Sequence, residues 1–550
     1  MPSLKERVAF GGLISFKQWH LVALVAFLIS AAVFAISILL FLSFPAIIES
    51  NIRQSSILTP DSALFDKWSK PQYAVATAMS VFSVQNPDDV LGKDARPQVK
   101  MIGPYVFDQS IRRVIRAIGN GTVKFESFIT YFFNEEKSCL ECFLHNRIWV
   151  PNIIYQKFVE AASRPTMHAA RAALLVQTPF LEVEVAELLF DGYTDPFLDQ
   201  VCTIPFVNFI CENILNLPDR IGFFYQKNES SSGVYVVKDG SADGGESLGR
   251  IVSWNDQNSL PETWWDNADV LRINGYDGTL FPPYINKDDN ITVFVPDLCR
   301  TLTLVFAEEF DYAGIPAYKF VVPASEFDFS RMPNRGYCNR ENGKHIFAKQ
   351  DAKCLPNGLL DISRCQKGEP PVIISLPNFL YAPDYVRSSV DGLREASPKL
   401  DQIEVVFEPH LGAVLEARRR FQINLALWRG VDLDDLRNFH NSIVPIIRID
   451  ETVRIDDSNF EAIKTKLIYM ENVVTIATAA AAIFSIASAV LVALYVIHRK
   501  SGSPVKQYIK RTLRRRSEHV TYMVNGVGGS TPKNPATSIS SVSITQSSVC

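Results

Sequence analysis

Two long uncharged apolar segments, one towards each end of the chain, constrain most strongly what this sequence can fold into. The first covers residues 21–44 and the second covers residues 473–497, and neither contains Asp, Glu, Lys or Arg. At 1.5 Å per residue, a helix of either length is about 36 Å long, which exceeds the roughly 30 Å hydrocarbon core of a bilayer. Helices of soluble proteins are rarely apolar over such a length. The sequence therefore predicts two membrane-spanning helices.

The first segment is too long for a cleaved signal peptide. Its uncharged run exceeds the roughly 7–15 apolar residues of a signal sequence. It ends at Phe44-Pro45, and no small-x-small cleavage pattern follows it. We therefore expect an uncleaved anchor that leaves an N-terminal tail of residues 1–20.

Basic residues beside the two segments predict the orientation of the chain, because Lys and Arg concentrate on the cytosolic side of a membrane. Three lie in residues 1–20 and eight lie in residues 499–516, whereas the intervening chain places only a few near either segment. We expect both tails, residues 1–20 and 498–550, to be cytosolic and residues 45–472 to form an extracytoplasmic domain.

The C-terminal tail has two parts of different composition. Residues 499–516 are basic, so we expect them to lie against anionic lipid of the inner leaflet. Residues 525–550 are rich in Ser, Thr, Gly and Asn and contain little that could form a core. This second part is predicted to be disordered.

The cysteine positions agree with this orientation. Eight of the nine cysteines lie in residues 45–472. An even set on one side of a membrane is typical of disulfides in an oxidising compartment. Cys139 with Cys142, and Cys202 with Cys211, are close enough in sequence to pair locally, although Cys-x-x-Cys also occurs in redox and metal sites.

Three N-glycosylation sequons lie in the same region, and none lies in either tail. Their acceptors are Asn120, Asn228 and Asn290. Their placement is consistent with an extracytoplasmic domain that carries glycans.

The region between the segments contains both strand and helix patterns. Alternating or β-branched runs predict strands near residues 233–237, 301–306, 317–322, 372–376 and 403–407. Between residues 151 and 189 the pattern is helical: Ile154, Phe158 and Ala162 are spaced by four, and Pro165 suits the first turn of a second helix. These patterns predict an α+β domain with a mostly antiparallel sheet and an inserted helical subdomain.

The sequence gives little indication of catalysis. It has eight histidines but no His-Glu-x-x-His, no Gly-x-Ser-x-Gly and no phosphate-binding Gly-rich loop. The net charge of −4 gives no reason to expect a nucleic-acid partner. We therefore predict no catalytic residue, no metal site and no cofactor.

A series of short motifs extends over nearly the whole region between the segments. The motifs are, in chain order, Asn86-Pro-Asp-Asp-Val-Leu-Gly, Ile102-Gly-Pro-Tyr-Val-Phe, Gly192-Tyr-Thr-Asp-Pro-Phe-Leu, Ile273-Asn-Gly-Tyr-Asp-Gly-Thr-Leu-Phe-Pro-Pro-Tyr, Asp297-Leu-Cys-Arg, Cys354-Leu-Pro-Asn-Gly-Leu-Leu-Asp-Ile-Ser-Arg-Cys, Glu408-Pro-His-Leu-Gly and Arg420-Phe-Gln-Ile-Asn. In this order, between two terminal spans, they resemble the class B scavenger receptor family.

The resemblance implies an ectodomain with an antiparallel β-barrel core, a helical bundle at its membrane-distal apex and a hydrophobic tunnel towards the membrane. It further implies a receptor for lipids, namely fatty acids, sterol esters and phospholipids, or for lipoproteins. Lipid would pass through the tunnel to the bilayer. A continuous apolar path removes the cost of exposing CH₂ groups to water, about 0.8 kcal/mol for each.

The resemblance also implies two disulfides, Cys299 with Cys365 and Cys338 with Cys354. A third bridge of the family has no counterpart here, because its two positions hold Ala268 and either Gly336 or Tyr337. Both partners are absent together, as expected for a disulfide that has been lost.

Four basic residues of the helical stretch form a candidate ligand-binding group. Arg164, His168 and Arg171 share one side of a helix, and Lys157 precedes them. If this stretch is the apical bundle, the group would meet an anionic ligand such as a fatty-acid carboxylate or a phospholipid headgroup. The alternative is a solvated helix face.

The sequence leaves three functions open. The first is a lipid receptor of the plasma membrane. It is favoured because the tail contains no acidic-dileucine sorting signal, and because the four-residue stretches that begin at Tyr508 and Tyr522 do not end in the bulky apolar residue of a tyrosine sorting signal. The second is a trafficking receptor for a luminal protein of endosomes or lysosomes, and the third is a two-pass ion channel subunit.

A small-residue stripe in the second span, Ala477, Ala481 and Ser485, permits close contact with the first span or with a second copy.

The predicted topology can be tested with epitope tags on intact cells. Tags at either terminus should be protected from external protease, and a tag inserted in residues 45–472 of surface-exposed protein should be cleaved. Permeabilised cells are the control, because all tags should then be cleaved. Cleavage of the N-terminal tag in intact cells would contradict the two-span topology.

Overall fold

The computed structural model describes most of the chain. The described residues are 16–71, 73–163, 168–200, 202–204, 208, 211–212, 218–338, 354–430 and 433–523. Contacts divide the chain into two compact units. One is Pro45–Asn472, and the other combines Met1–Phe44 with Val473–Cys550.

Helices and strands alternate irregularly along the described residues. The helices are α1 Phe16–Ser55, α2 Ala63–Ser69, α3 Pro87–Gly92, α4 Ile153–Ala162, α5 His168–Leu174, α6 Pro196–Gln200, α7 Ala268–Leu271, α8 Asp384–Arg387, α9 Pro398–Asp401, α10 Asp457–Ile463 and α11 Met470–Met523. The strands are β1 Ala74–Val84, β2 Val99–Gly119, β3 Thr122–Phe133, β4 Arg147–Pro151, β5 Phe180–Glu184, β6 Ser231–Lys238, β7 Ile251–Trp254, β8 Ile291–Val295, β9 Arg300–Tyr312, β10 Ile315–Val321, β11 Leu360–Asp361, β12 Val372–Ser375, β13 Glu404–Glu408, β14 Ala413–Leu427 and β15 Ser442–Arg454.

The terminal unit contains the two apolar helices that the sequence predicts. Leu21–Ser55, within α1, and Asp457–His498, which ends within α11, are long and apolar enough to cross a membrane. Ser30 and Ser488 meet between them, with 3.0 Å between the two Oγ atoms. Each hydroxyl therefore has a partner where water would be absent.

One antiparallel sheet forms the core of the unit Pro45–Asn472, as predicted. Among the described residues it has thirteen strands, eleven of them in the order β7-β6-β3-β2-β1-β15-β14-β13-β10-β9-β8. β12 pairs with β14, and β11 pairs with β12. The long pairings of β14 with β15, β15 with β1, and β1 with β2 make the centre of this sheet.

The first and last strands of that order are joined by residues 272–276, which closes the sheet into a barrel. On one side the Ile251 amide donates to the Gly275 carbonyl at 2.9 Å. On the other side Tyr276 and β8 exchange two hydrogen bonds of 2.9 Å, from Tyr276 N to Thr292 O and from Phe294 N to Tyr276 O. We call residues 272–276 the closing segment.

Gly275 is required at this closure for two reasons. Its φ of 84° lies in the left-handed region, which side chains with a Cβ rarely adopt. A Cβ at this position would lie 2.3 Å from the Thr292 carbonyl oxygen, which is a backbone atom that cannot turn aside.

Alternation along the strands separates an inward face from an outward face. On β14, Ala417, Leu425 and Leu427 belong to the main core cluster. Ala426, between Leu425 and Leu427, belongs to a smaller cluster on the other side of the sheet. Leu415 also belongs to a separate cluster, because the pairing with β13 shifts register between Val414 and Glu416. The inward face of β14 therefore carries its odd-numbered residues from Ala417 onward.

The helical subdomain differs in part from the prediction. Helix α4 begins after Asn152, whose Oδ1 accepts from the Tyr155 amide at 3.1 Å, and α5 ends at Leu174. Residues 151–189 are not helical throughout, because β5 pairs with β4 in a two-stranded sheet. The β-branched alternation of Phe180-Leu-Glu-Val-Glu gives the physical reason for this strand. Pro165 lies outside the described residues.

Four disulfides lie in the unit Pro45–Asn472. The pairs are Cys139–Cys142, Cys202–Cys211, Cys299–Cys365 and Cys338–Cys354. The last two are the pairs that the family resemblance implies, and the first two are the local pairs that sequence proximity suggests. Beside Cys299, the buried Arg300 guanidinium lies 4.0 Å from the Tyr337 ring centroid and 3.0 Å from a Glu326 carboxylate oxygen.

Gly275→Ala should destabilise the barrel more than a glycine substitution in open space. Gly244→Ala is the matched control, because Gly244 also has a positive φ, 65°, but no atom lies within 4 Å of its added Cβ. The control should cost about 1–2 kcal/mol of unfolding free energy. Gly275→Ala should cost at least twice as much, measured by thermal unfolding of the purified full chain. Equal losses would contradict the closing role of residues 272–276.

Removal of the disulfides should destabilise the protein in order of loop length. Cys299–Cys365 spans 66 residues and should contribute about 4 kcal/mol in the chain-entropy description. Cys202–Cys211 spans 9 residues and should contribute about 2.5 kcal/mol. Paired Cys→Ser variants, compared by thermal unfolding and by the fraction that leaves the endoplasmic reticulum, test the order. A larger loss from the shorter loop would contradict it.

Candidate functional site

A row of polar side chains crosses the inward face of five adjacent strands of the barrel. Arg419 on β14 lies opposite Glu451 on β15, and Glu451 lies opposite Thr77 on β1. Arg419 donates to the Glu451 carboxylate, and Gln109 on β2 donates to the Thr77 hydroxyl. Tyr131 on β3 lies opposite Gln109 and completes the row. We call these five residues the polar row.

The positions next to the polar row are apolar. Phe421, Ile449 and Met79 lie opposite one another on β14, β15 and β1. Ala417, Val453 and Val75 lie opposite one another on the other side of the row. Five of the six belong to the main core cluster or pack against it, and the sixth, Val75, is also buried. The polar row is therefore a narrow band in an apolar wall.

Aromatic rings continue this wall beyond β3. Phe107 and Phe133 are paired across β2 and β3 with 5.4 Å between their ring centroids. Phe190 lies 5.0 Å from Phe107 and 5.3 Å from Tyr131. Phe224 lies 5.5 Å from Phe190. Such a cluster offers a broad apolar surface at low conformational cost.

Arg419 faces an enclosed space that water can enter. Half of its side chain, 51%, is accessible. Arg419 nevertheless faces inward, because Ala417 and Phe421, its neighbours on the same face of β14, pack in the main core. Burial lowers the pKa of its guanidinium, against smaller raising effects of Tyr131 and Asp297. A side chain on the inward face that water can reach borders a cavity inside the barrel. Burial also raises the pKa of Tyr131 to about 12.

Tyr73 shows the same combination at the start of β1. Its accessible fraction is 38%, yet burial raises the pKa of its hydroxyl, with a lowering effect from Arg113.

Arg113, on the inward face of β2, is the second buried cation of the barrel. Its guanidinium lies 5.0 Å from the Trp68 ring centroid, and its Nη1 donates to the Trp68 carbonyl. Burial lowers its pKa, against the raising effects of Asp277 and Tyr73. Its Nε is buried without a hydrogen-bond partner, and Arg113 forms no ion pair with any described residue.

This arrangement suits a molecule with a long apolar part and an anionic end. The walls would bury alkyl groups at about 25 cal/mol for each Å² removed from water. A buried cation without an ion pair is costly, so a carboxylate or phosphate beside Arg113 would lower that cost. Arginine binds such groups through two parallel hydrogen bonds. The polar row can solvate a polar group further along the cavity.

Of the four predicted ligand-binding cations, the structure describes two side chains. Lys157 is only 9% exposed, and its Nζ lies 3.0 Å from the Glu369 carbonyl oxygen and 3.7 Å from a Glu160 carboxylate oxygen. Arg171 donates to the Ala162 carbonyl at 3.1 Å. Arg164 and the His168 side chain lie outside the described residues. Capture of an anion by this group stays a prediction, and Lys157 and Arg171 would have to give up these bonds.

The three predicted glycan acceptors are all exposed. Asn120 lies in the turn between β2 and β3, and Asn290 directly precedes β8. The Asn228 side-chain oxygen accepts from the Tyr131 amide at 2.9 Å, which leaves its amide nitrogen free to carry a glycan. Within the described ranges, no group of three or more His, Cys, Asp or Glu side chains is arranged to hold a metal ion.

Neither Arg113 nor Arg419 was identified from the sequence as a site residue. The sequence does contain a signal for them, because each arginine stands at a position where the alternating pattern of its strand would place an apolar residue. Ile111 and Ile115 flank Arg113, and Ala417 and Phe421 flank Arg419. An arginine at such a position faces the same side as its apolar neighbours and is a candidate for a buried functional cation.

Comparisons with known proteins agree with the fold and the motifs. Lysosome membrane protein 2 of Rattus norvegicus is 28% identical over 427 residues, covering 77% of this chain and 84% of that protein. Sensory neuron membrane protein 1 of Bombyx mori is 26% identical, covering 79% and 83%. Scavenger receptor class B member 1 of Bos taurus is 24% identical, covering 80% and 82%. By their names these relatives are membrane proteins and a receptor, and none is named as an enzyme.

A family model describes the same relationship over most of the chain. The model of the CD36 family matches residues 26–497, which include nearly all of both apolar segments and the whole barrel. The three relatives are class B scavenger receptor family members, so this result agrees with the order of motifs in the sequence. The chain belongs to the CD36 family, a family of membrane receptors.

Proposed function

We propose that this protein is a receptor that binds lipids inside its β-barrel and passes them to the membrane in which it is anchored. The observation that carries the proposal is the water-accessible barrel cavity, whose walls are apolar except at Arg113 and the polar row. A catalytic function has no comparable support, because the chain belongs to a family of membrane receptors.

The chemistry of the wall favours two classes of lipid. Fatty acids and phospholipids carry an anionic group, and Arg113 would hold it while the alkyl chain lies along the apolar wall. Sterol esters carry no charge, and their binding would depend on the apolar wall and the aromatic rings alone. Either class could arrive from a lipoprotein.

The location of the receptor is part of the proposal. We place residues 45–472 outside the cytosol, with both tails in the cytosol, because of the distribution of basic residues. We favour the plasma membrane, because the C-terminal tail lacks the sorting signals described above. Contact between copies through the spans is compatible with the small-residue stripe.

The relatives favour one alternative, which is a trafficking receptor for a luminal protein of lysosomes. Lysosome membrane protein 2 is named for that membrane and is 28% identical to this chain. Membership of the CD36 family leaves the ion-channel alternative without support. Imaging of the full chain beside plasma-membrane and lysosomal markers, combined with mass spectrometry of lipids that copurify with it, distinguishes the two remaining functions. Exclusive lysosomal location without bound lipid would favour the alternative.

Arg113→Met should weaken binding of long-chain fatty acids. The substitution removes the charge but keeps a long side chain. A charge-assisted hydrogen bond contributes about 1.5–3 kcal/mol, so the affinity for oleate should fall roughly 10- to 100-fold. Binding of a neutral cholesteryl ester should change less than threefold. Both are measured with fluorescent lipid analogues on the purified full chain.

Arg112→Met is the matched control, because Arg112 is the neighbouring residue on the opposite face of β2. It is exposed, and its guanidinium lies 4.5 Å from the Phe128 ring centroid on the outside of the barrel. The control should bind oleate as the wild type does. Equal losses in the two variants would contradict an interior site at Arg113. Absence of copurified lipid, together with no faster lipid uptake by expressing cells, would contradict the proposed function itself.

A further inference from the structure

A polar cleft of ≈ 640 Å³ lies on the outer face of the barrel, where β6, β7 and the closing segment meet. Its volume is within the usual range of ligand sites, about 300–1,000 Å³. It is lined by Lys238, Arg250, Ile251, Val252, Asn258, Ser259, Arg272, Ile273 and Asn274. This cleft is separate from the barrel cavity, because its polar residues occupy the exposed positions of the strands and Ile251 and Ile273 the buried ones.

The cleft holds three cations and no carboxylate. Lys238, Arg250 and Arg272 are all exposed. Within the part of the chain that the structure describes, none of the three side chains forms a hydrogen bond or an ion pair. The same holds for the side chains of Asn258 and Asn274. The lining therefore offers charged and polar groups that no hydrogen bond or ion pair of the described residues engages, although Lys238 and Arg250 interact electrostatically with Asp243 and Tyr276.

Strand pairing fixes the arrangement of the three cations. Lys238 lies beside Arg250, because the Lys238 amide donates to the Arg250 carbonyl at 2.9 Å. Arg250 pairs with Tyr276, and Arg272 lies four residues before Tyr276 on the closing segment. Arg272 therefore lies further along the closing segment than the position beside Lys238 and Arg250. Asn274 lies between the two positions on the same face.

Mutual repulsion makes this group of cations unfavourable without a ligand. Like charges directly opposite each other on adjacent strands destabilise a sheet. Lys238 and Arg250 are such a pair. The lining holds no carboxylate, and Asp243, outside the lining, relieves only part of the repulsion through its electrostatic interaction with Lys238. An anion placed between them would remove the repulsion and gain charge-assisted hydrogen bonds. Two separate anionic groups would engage both positions.

We propose that this cleft binds a sulfated oligosaccharide. Sulfate groups would occupy the Lys238 and Arg250 position and the Arg272 position. Asn258, Asn274 and Ser259 would hydrogen-bond the sugar hydroxyls between them, and Val252 would pack against the apolar face of a ring. An extended chain of anionic sugars fits two separated cationic positions on an open cleft better than a single phosphate headgroup does. The proposal is independent of the lipid function.

The test measures binding of a fluorescent heparin-derived hexasaccharide to the purified full chain in neutral detergent. The wild type should bind it at least tenfold more tightly than the desulfated hexasaccharide. The triple variant Lys238→Gln, Arg250→Gln, Arg272→Gln should bind at least tenfold more weakly than the wild type. Exchange of Arg250 and Arg272 for Lys, which retains the charges, should keep the affinity within about threefold, and added salt should weaken wild-type binding because the cations are exposed.

The matched control removes three exposed cations elsewhere, with Lys100→Gln, Lys399→Gln and Arg437→Gln. These side chains also form no ion pair with described residues, so net charge falls equally. The control should bind within twofold of the wild type, and both triple variants should unfold at the wild-type temperature. Equal weakening in both variants, or equal affinity for the desulfated sugar, would overturn the proposal. Binding of phosphatidylserine vesicles that requires the three cations, without hexasaccharide binding, would assign the cleft to a lipid headgroup and overturn it as well.

Discussion

The closing segment joins the two edges of the sheet, and the cavity depends on that contact. An open sheet of this length would leave the edges of β7 and β8 unpaired, and its inward face would be exposed. The closed barrel contains eleven of the described strands along its main path. Barrels of about eight strands are filled by their own side chains, and larger ones leave space inside. A cavity beside Arg419 is therefore an expected consequence of closing so many strands.

A barrel that is partly hollow has fewer packing contacts inside, and buried polar contacts on its outer face add stability there. Gln422 and Asn424, at outward positions of β14, are fully buried, and β12 pairs with β14 beside them. Gln422 donates to the Asn424 side-chain oxygen at 2.7 Å, and Asn424 donates to the Ile373 carbonyl at 3.0 Å. A satisfied buried network of this kind fixes one arrangement of the strands. The wall can then stay ordered with a cavity behind it.

The sequence predicted much of this fold, because alternation and turn residues are local signals. The strands predicted near residues 233–237 and 372–376 are present. The helical interpretation of residues 151–189 was wrong over β5, which directly follows Pro179 and pairs with β4. Gly336 is one of the residues at the position of the family disulfide that has no counterpart here. It packs against Val270, and a Cβ on Gly336 would lie 2.7 Å from the Val270 side chain.

The two arginines of the cavity could not be predicted in the same way. Alternation shows that Arg112 and Arg113 lie on opposite faces of a strand, and likewise Arg418 and Arg419. It does not show which face is enclosed, because that depends on closure by a segment more than a hundred residues away in sequence from either pair. The long-range contact decides which arginine becomes a buried cation and which stays on the surface.

The choice of arginine rather than lysine has a consequence for how lipid would leave the cavity. A buried lysine can lose its proton near neutral pH, whereas arginine stays charged in proteins even where burial lowers its pKa. Arg113 would therefore attract an anionic lipid equally at the pH of the cell surface and at that of an endosome. Release cannot depend on deprotonation of Arg113. In the proposed mechanism, the apolar wall must carry the lipid onward, so the direction of transfer follows the difference in free lipid concentration between donor and membrane.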